Sequence, residues 1–104
     1  MKKHFILNFK AGPAWIPGKP NSEQKYWNEH ASFMENLFDK GLIIMSGTYA
    51  NHAAVMIIVE AADESEIVNI FKNDPFILKS IFVLDNIIEW EVSLDAHKKT
   101  IDIS

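Results

Sequence analysis

Few of the 104 residues are of a type that does chemistry. There is no cysteine, which removes thiol nucleophiles, disulfides and Cys-based zinc sites. The four histidines, His4, His30, His52 and His97, are scattered, with no paired spacing and no accompanying carboxylate pair, so no metal site is expected. The chain has neither a Gly-rich phosphate loop nor a serine nucleophile elbow. Two residues stand out. His30 sits among apolar residues, and imidazole is the side chain that changes charge in the physiological pH range. Asp74 sits directly before a proline at a helix break, and a carboxylate can hold one imidazole nitrogen while the other works on a proton. Each also has a structural reading: His30 as a core histidine with its N–H satisfied, Asp74 as an N-cap before Pro75. Spacing alone does not bring the two together.

The stretch from Asn21 to Thr48 positions His30. At 100° per residue from Tyr26, one side of a helix collects Tyr26, Trp27, His30, Phe33, Met34, Leu37 and Phe38. The other side collects Asn28, Glu29, Ser32, Glu35, Asn36, Asp39 and Lys40. His30 lies near the centre of the apolar arc, so it is either a satisfied core residue or it faces a pocket. The helix is expected to start at Asn21 or Ser22, with Asn21 and Gln24 in capping-box spacing, and to end at Gly41. Leu42-Ile43-Ile44-Met45 then reads as a short buried strand, and the small Ser46 and Gly47 leave room for a ligand or a close backbone approach.

Other elements follow from local pattern. His4 to Lys10 alternates, with Phe5, Leu7 and Phe9 on one face, and reads as a strand. Ala11 to Pro20 contains Gly12, Pro13, Pro17, Gly18 and Pro20 and reads as a loop. Its Trp15 either plugs an edge of the core or closes a pocket, and the loop is expected to pack on the His30 side. Ala50-Asn51-His52 is the expected turn, and Ala53 to Val59 the returning strand, apolar on both faces. Asp63-Glu64-Ser65-Glu66 opens a second helix with a capping-box pattern, and Asp74-Pro75 ends it and starts a further helical turn. Phe82 to Val92 is the last strand. Trp27 and Trp90 read most simply as core residues. The order β-α-β-β-α-β predicts an α+β, ferredoxin-like fold: a four-stranded antiparallel sheet with two helices on one face. Residues 1–92 form the expected domain and 93–104 a polar C-terminal tail.

Composition bounds the function. With 48% hydrophobic and 23% charged residues the chain is globular in composition. A formal net charge of -4 and no Lys/Arg cluster argue against nucleic-acid binding. No apolar run reaches membrane-spanning length, and the short N-terminal one stops at Asn8, so no membrane partner and a cytoplasmic location are expected. The doubly apolar strand predicts self-association through the sheet.

Three blocks resemble the YCII (YciI-like) family over nearly all of residues 2–92. They are Glu29-His30-Ala31-Ser32-Phe33-Met34 with Gly41-Leu42-Ile43-Ile44-Met45-Ser46-Gly47, then Asn73-Asp74-Pro75-Phe76, then the terminal strand with Trp90. Gly12-Pro13-Ala14-Trp15, with Glu23-Gln24 and Trp27, resembles a subgroup with an elongated first loop. The resemblance implies a dimeric α/β-barrel arrangement of the ferredoxin-like fold. It also implies a site built on a His and an Asp, which match His30 and Asp74, and lyase-type elimination, including loss of HCl from a hydroxylated aromatic ring. Many members carry Arg three residues before the His, where this chain has Trp27, and Pro after the glycine of the second strand, where it has Thr48. Losing the Arg removes an anion clamp.

The resulting expectation is a cofactor-free enzyme using a His30–Asp74 acid/base pair for elimination or isomerisation of a small, aromatic-compatible substrate. Trp15, Gln24, Trp27, Ser46, Gly47, Tyr49 and Phe76 are the expected substrate contacts, and backbone N–H groups at Ser46-Gly47 the expected oxyanion donors. The alternative is a non-catalytic small-molecule binding or interaction module on the same dimeric scaffold. A cofactor-free monooxygenase rests on fold analogy alone.

Overall fold

A computed structural model describes residues 2–50 and 54–96. The elements are β1 (Lys3–Ala11), a 3-10 turn (Asn21–Glu23), α1 (Trp27–Asp39), β2 (Ile43–Thr48), β3 (Ala54–Ala61), α2 (Glu64–Phe71), α3 (Pro75–Leu78) and β4 (Phe82–Trp90). The four strands form one sheet in the order β2-β3-β1-β4, with every neighbouring pair antiparallel. This is the ferredoxin-like arrangement expected from the element order. The expected turn at Asn51-His52 and the tail from His97 onward lie outside the described residues.

Strand alternation decides where the helices sit. Phe5, Leu7 and Phe9 of β1 pair with Val59, Ile57 and Val55 of β3 on one face. That face takes Phe33 of α1, Phe71 of α2 and Phe76 of α3, so all three helices cover one side of the sheet. The other face carries Ile6, Asn8, Met56, Ile58, Asn86, Ile88 and Trp90. Trp90 is therefore not a core residue: it pairs with His4 on the open face and is 39% exposed. The apolar arc of α1 is also narrower than expected, because Phe38 lies at its edge in the last turn and is exposed.

The start of α1 differs from the expected onset. Tyr26 takes a left-handed conformation, φ 65°, which interrupts the helical path between the 3-10 turn and Trp27. Asn21 and Gln24 do not form a capping box. Gln24 is buried, and its amide accepts from Ile16 N–H and donates to the carbonyls of Ile16 and Lys19, holding the loop closed. Asn21 instead donates from Nδ2 to Thr48 Oγ1 on β2 at 3.1 Å. At the far end α1 stops as expected: Gly41 adopts φ 81°, and Leu42 N–H donates to the Leu37 carbonyl.

The Gly12 loop is stitched to the α3–β4 junction. Gly12 N–H donates to the Ile81 carbonyl and Ala14 N–H to the Ser80 carbonyl. A Cβ on Gly12 would stand 2.3 Å from the Ser80 carbonyl oxygen, so only glycine fits. This close approach lays Trp15 onto Phe82, with ring centroids 5.3 Å apart and planes 20° from parallel.

Candidate functional site

Asp74 is placed by the break between two helices. Its N–H donates to the Phe71 carbonyl at the end of α2, and its carboxylate begins α3. Pro75 at the first helical position has no N–H, so the first donor needing a partner belongs to Phe76. Asp74 Oδ1 accepts that N–H at 3.0 Å. The same oxygen meets His30 Nδ1 at 2.7 Å. The structural reading of Asp74 as an N-cap and the functional one as partner of His30 thus coincide on one carboxylate oxygen. When the carboxylate is ionised it only accepts, so Nδ1–H donates to it, and a neutral imidazole then carries its lone pair on Nε2.

His30 is brought to Asp74 by α1. Its side chain is 12% exposed and that of Asp74 only 4%. A buried carboxylate needs compensating donors, and two converge here. Phe76 lies flat against the imidazole, ring centroids 3.9 Å apart and planes 3° from parallel. Phe76 in turn meets Phe82 edge-on at 5.5 Å. The rings of Trp15, Phe82, Phe76 and His30 therefore run as a continuous column from the first loop to the dyad. Such a column fixes the imidazole plane and leaves its edge to face a ligand.

His30 lines a cavity of about 250 Å³ whose wall also includes Trp27, Met34, Ser46, Gly47 and Thr48. A bulge between Ile43 and Met45 sets β2 so that Ser46 and Thr48 pair with Ile57 and Val55, whose side chains point to the helix layer. That irregularity turns the second strand's small residues toward α1. None of the described residues lining the cavity is a lysine or arginine. Beneath the dyad a second void of about 20 Å³ lies among Phe9, Met34, Val55, Ile57 and Phe82. That is about the space of one water molecule.

The structure thus gathers His30, Asp74, Trp27, Ser46 and Gly47 at one place. Phe76 is fully buried behind the imidazole, so it supports the ring. Trp15 contacts Phe82, Gln24 is occupied by the loop backbone, and neither belongs to the cavity wall. Tyr49 lies away from the cavity and donates its hydroxyl to Asn8 Oδ1 at 2.7 Å on the open sheet face, where Asn8 in turn donates to Asn86. Asn21 and Thr48, absent from the expected contacts, both line the cavity. Their polar side chains, spaced so far apart in sequence, gave no local signal. Among the described residues no group of three or more metal-ligating side chains is clustered.

The family model described as YCII-related domain matches residues 10–91. No functionally curated protein matches the sequence. Among solved structures, the chain is similar to 5-chloro-2-hydroxyhydroquinone dehydrochlorinase (TftG) from Burkholderia phenoliruptrix AC1100, in complex with 2,5-dihydroxybenzoquinone. The TM-score is 0.63 at 20% identity, covering 84% of this chain and 93% of that one. At that identity the likeness shows the fold. No helix among the described residues is long and apolar enough to cross a membrane.

Proposed function

We propose that this chain, which belongs to the YCII-related domain family, is a cofactor-free lyase-type enzyme acting on a small, neutral, hydroxylated ring. The observation that carries this reading is the 2.7 Å contact of Asp74 Oδ1 with Nδ1 of His30, whose ring lines a cavity of about 250 Å³. Nε2 takes a proton from a substrate hydroxyl or acidic carbon. On an aromatic ring that proton is returned to the carbon bearing the halogen, giving a keto tautomer. Nε2 then takes a second hydroxyl proton, a second carbonyl forms, and the displaced ring pair expels the halide, which leaves with the electrons of the carbon–halogen bond. The imidazolium then passes its proton to solvent, so the net change is loss of HX. In an isomerisation the same proton returns to another carbon. Asp74 stabilises the imidazolium through a charge-assisted hydrogen bond, and the Phe76 face through a cation–π contact. The cavity suits a neutral ring, since the described residues of its wall offer no Lys or Arg to a carboxylate. Backbone N–H groups at Ser46-Gly47 are the candidate donors to a developing oxyanion. The Gly12-Pro13-Ala14-Trp15 loop, locked under Phe82, sets a subgroup within the family.

The test is turnover of chlorinated hydroxyhydroquinones, read as chloride release, by the wild type and by His30→Gln. Release lost in the variant with the fold intact supports the enzyme. If both proteins bind the ring compounds and neither releases chloride or moves a proton, the chain is a binding module instead.

The working unit in this reading is a homodimer joined through open sheet faces. Ile6, Ile58, Ile88 and Trp90 supply apolar surface there, and Met56 pairs with Asn8 at its centre. A stable dimer of this size commonly buries more than about 1,000 Å² in total. Met56→Glu places a charge in that face while Ile57 keeps the core, so sedimentation is expected to shift from dimer to monomer. A wild type that sediments as a monomer at micromolar concentration removes the dimer from the reading.

A further inference from the structure

The His30–Asp74 pair leaves one polar group of the cavity wall without a role. Asn21 opens the 3-10 turn and lines the cavity together with His30 and Thr48. It also lines an adjoining cavity of about 250 Å³ bounded by Pro20, Ser22, Trp27 and Thr48, so it stands where the two spaces meet. One end of its amide is fixed: Nδ2 donates to Thr48 Oγ1 at 3.1 Å. The other end, Oδ1, is buried and has no hydrogen-bond partner among the described residues. Buried side-chain acceptors are nearly always paired, and one that is not calls for an explanation. Helix capping does not supply it, because the N-cap position of this turn is held by Pro20.

We propose that Asn21, held by Thr48, is the specificity-determining acceptor of the site, receiving a hydroxyl proton from a neutral hydroxylated ring bound against His30. This rests on reading the His30 cavity as a small-molecule site. A cavity on the order of 150 Å³ holds benzene, so the space beside His30 holds one substituted ring. A ring with one hydroxyl at Nε2 and a second at Asn21 Oδ1 engages both polar groups of the wall. A carboxylate in the second position has no proton to give, and among the described residues no Lys or Arg lines this wall to accept its charge. The torsion at the end of an asparagine side chain is broad, so a turn of the amide presents Oδ1 to the ligand. The site thereby selects for the number and placement of hydroxyls, separately from the acid–base work of His30.

The test compares phenol, which has one hydroxyl, with catechol, resorcinol and hydroquinone, which have two, by anaerobic titration calorimetry. At least one of the three is expected to bind the wild type about tenfold tighter than phenol, the worth of one additional hydrogen bond. The gain is expected to vanish in Asn21→Leu and to persist in Asn21→Asp, which keeps an acceptor for the ring hydroxyl and can be held by accepting from the Thr48 hydroxyl. Thr48→Val, which removes the anchor and spares Asn21, is expected to reduce the gain, and it serves if Asn21→Leu does not fold. A gain that survives Asn21→Leu, one lost in Asn21→Asp, or none over phenol in the wild type overturns the role of Asn21. If phenol binding nevertheless falls in His30→Gln, the reading of the His30 cavity stands without it. Failure of all four compounds to bind overturns both.

Discussion

Helix α1 separates two cavities that differ in size and in kind. On its outer side, between α1 and α2, is an open groove of about 740 Å³ over Phe33, Leu37, Ile70 and Pro75. On its inner side is the cavity beside His30, about 250 Å³. The groove is roughly three times larger, yet its polar residues, such as Ser32, Asn36 and Asn69, are exposed to solvent. The inner cavity is lined by an imidazole that is paired at 2.7 Å with a carboxylate buried behind it. Volume marks where two helices part. Chemistry is indicated where polar groups are buried at a cost and arranged to meet each other.

The largest effect that separates the two sides of α1 is loss of the base. His30→Gln is expected to fold and to lower turnover by about 10²- to 10⁴-fold, the usual worth of a general base. Asp74→Asn keeps an acceptor for the Phe76 N–H and removes the charge that supports the imidazolium. It is expected to fall in the same direction with a small loss of stability. Asp74→Ala removes both the cap and the partner of His30, and is expected to cost in addition about 1–3 kcal/mol. Chloride release and denaturant unfolding measured on all three variants separate the two roles. If Asp74→Asn unfolds like Asp74→Ala while retaining turnover, the pair is structural and the inner cavity loses its distinction.

Most of this contrast was legible in the sequence, for reasons specific to each part. His30 stood out because an ionisable ring on an apolar arc is conspicuous at helical spacing. Asp74 stood out because Asp-Pro is a local helix-start signal, and that signal is realised in the bond to Phe76 N–H. The order of strands and helices followed from alternation and turn residues. What was not legible depends on long-range geometry. Asn21 and Gln24 have capping-box spacing, yet both side chains find better partners across the fold, on Thr48 and on the loop backbone. Tyr49 was expected at the cavity, but its hydroxyl belongs to a row of polar groups on the open sheet face. Trp90 looked like core because strand alternation does not say which face the helices cover. Trp15 had two readings, and its stack on Phe82 is the plug at the core edge.

A smaller effect sharpens the comparison from beneath the dyad. Gly12→Ala brings a Cβ against the Ser80 carbonyl oxygen, and neither backbone can yield without disturbing the bonds to Ile81 and Ser80. The expected cost is about 1–3 kcal/mol of stability, measured by denaturant unfolding. Because Trp15 stacks on Phe82, and Phe82 meets the ring under His30, part of the loss is expected to reach turnover. A variant with full stability and full turnover would mean that the aromatic column does not hold the imidazole.

The smallest effect is expected in the groove, and it tests whether size was rightly set aside. Ser32 lies two residues from His30 on α1, but faces the other way and is exposed. Ser32→Phe puts a ring into the groove without touching the His30 side. Phenylalanine and serine have similar helix propensities, and surface changes away from special features usually stay within about 0.5 kcal/mol. Stability and chloride release are therefore both expected to remain near wild type. The outcome that would reverse the comparison is selective: turnover lost on filling the groove, with the fold and phenol binding at the inner cavity intact. Substrate would then enter on the outer side of α1, and the buried pair would be holding α3 against α1 while the reaction took place on the other side of the helix.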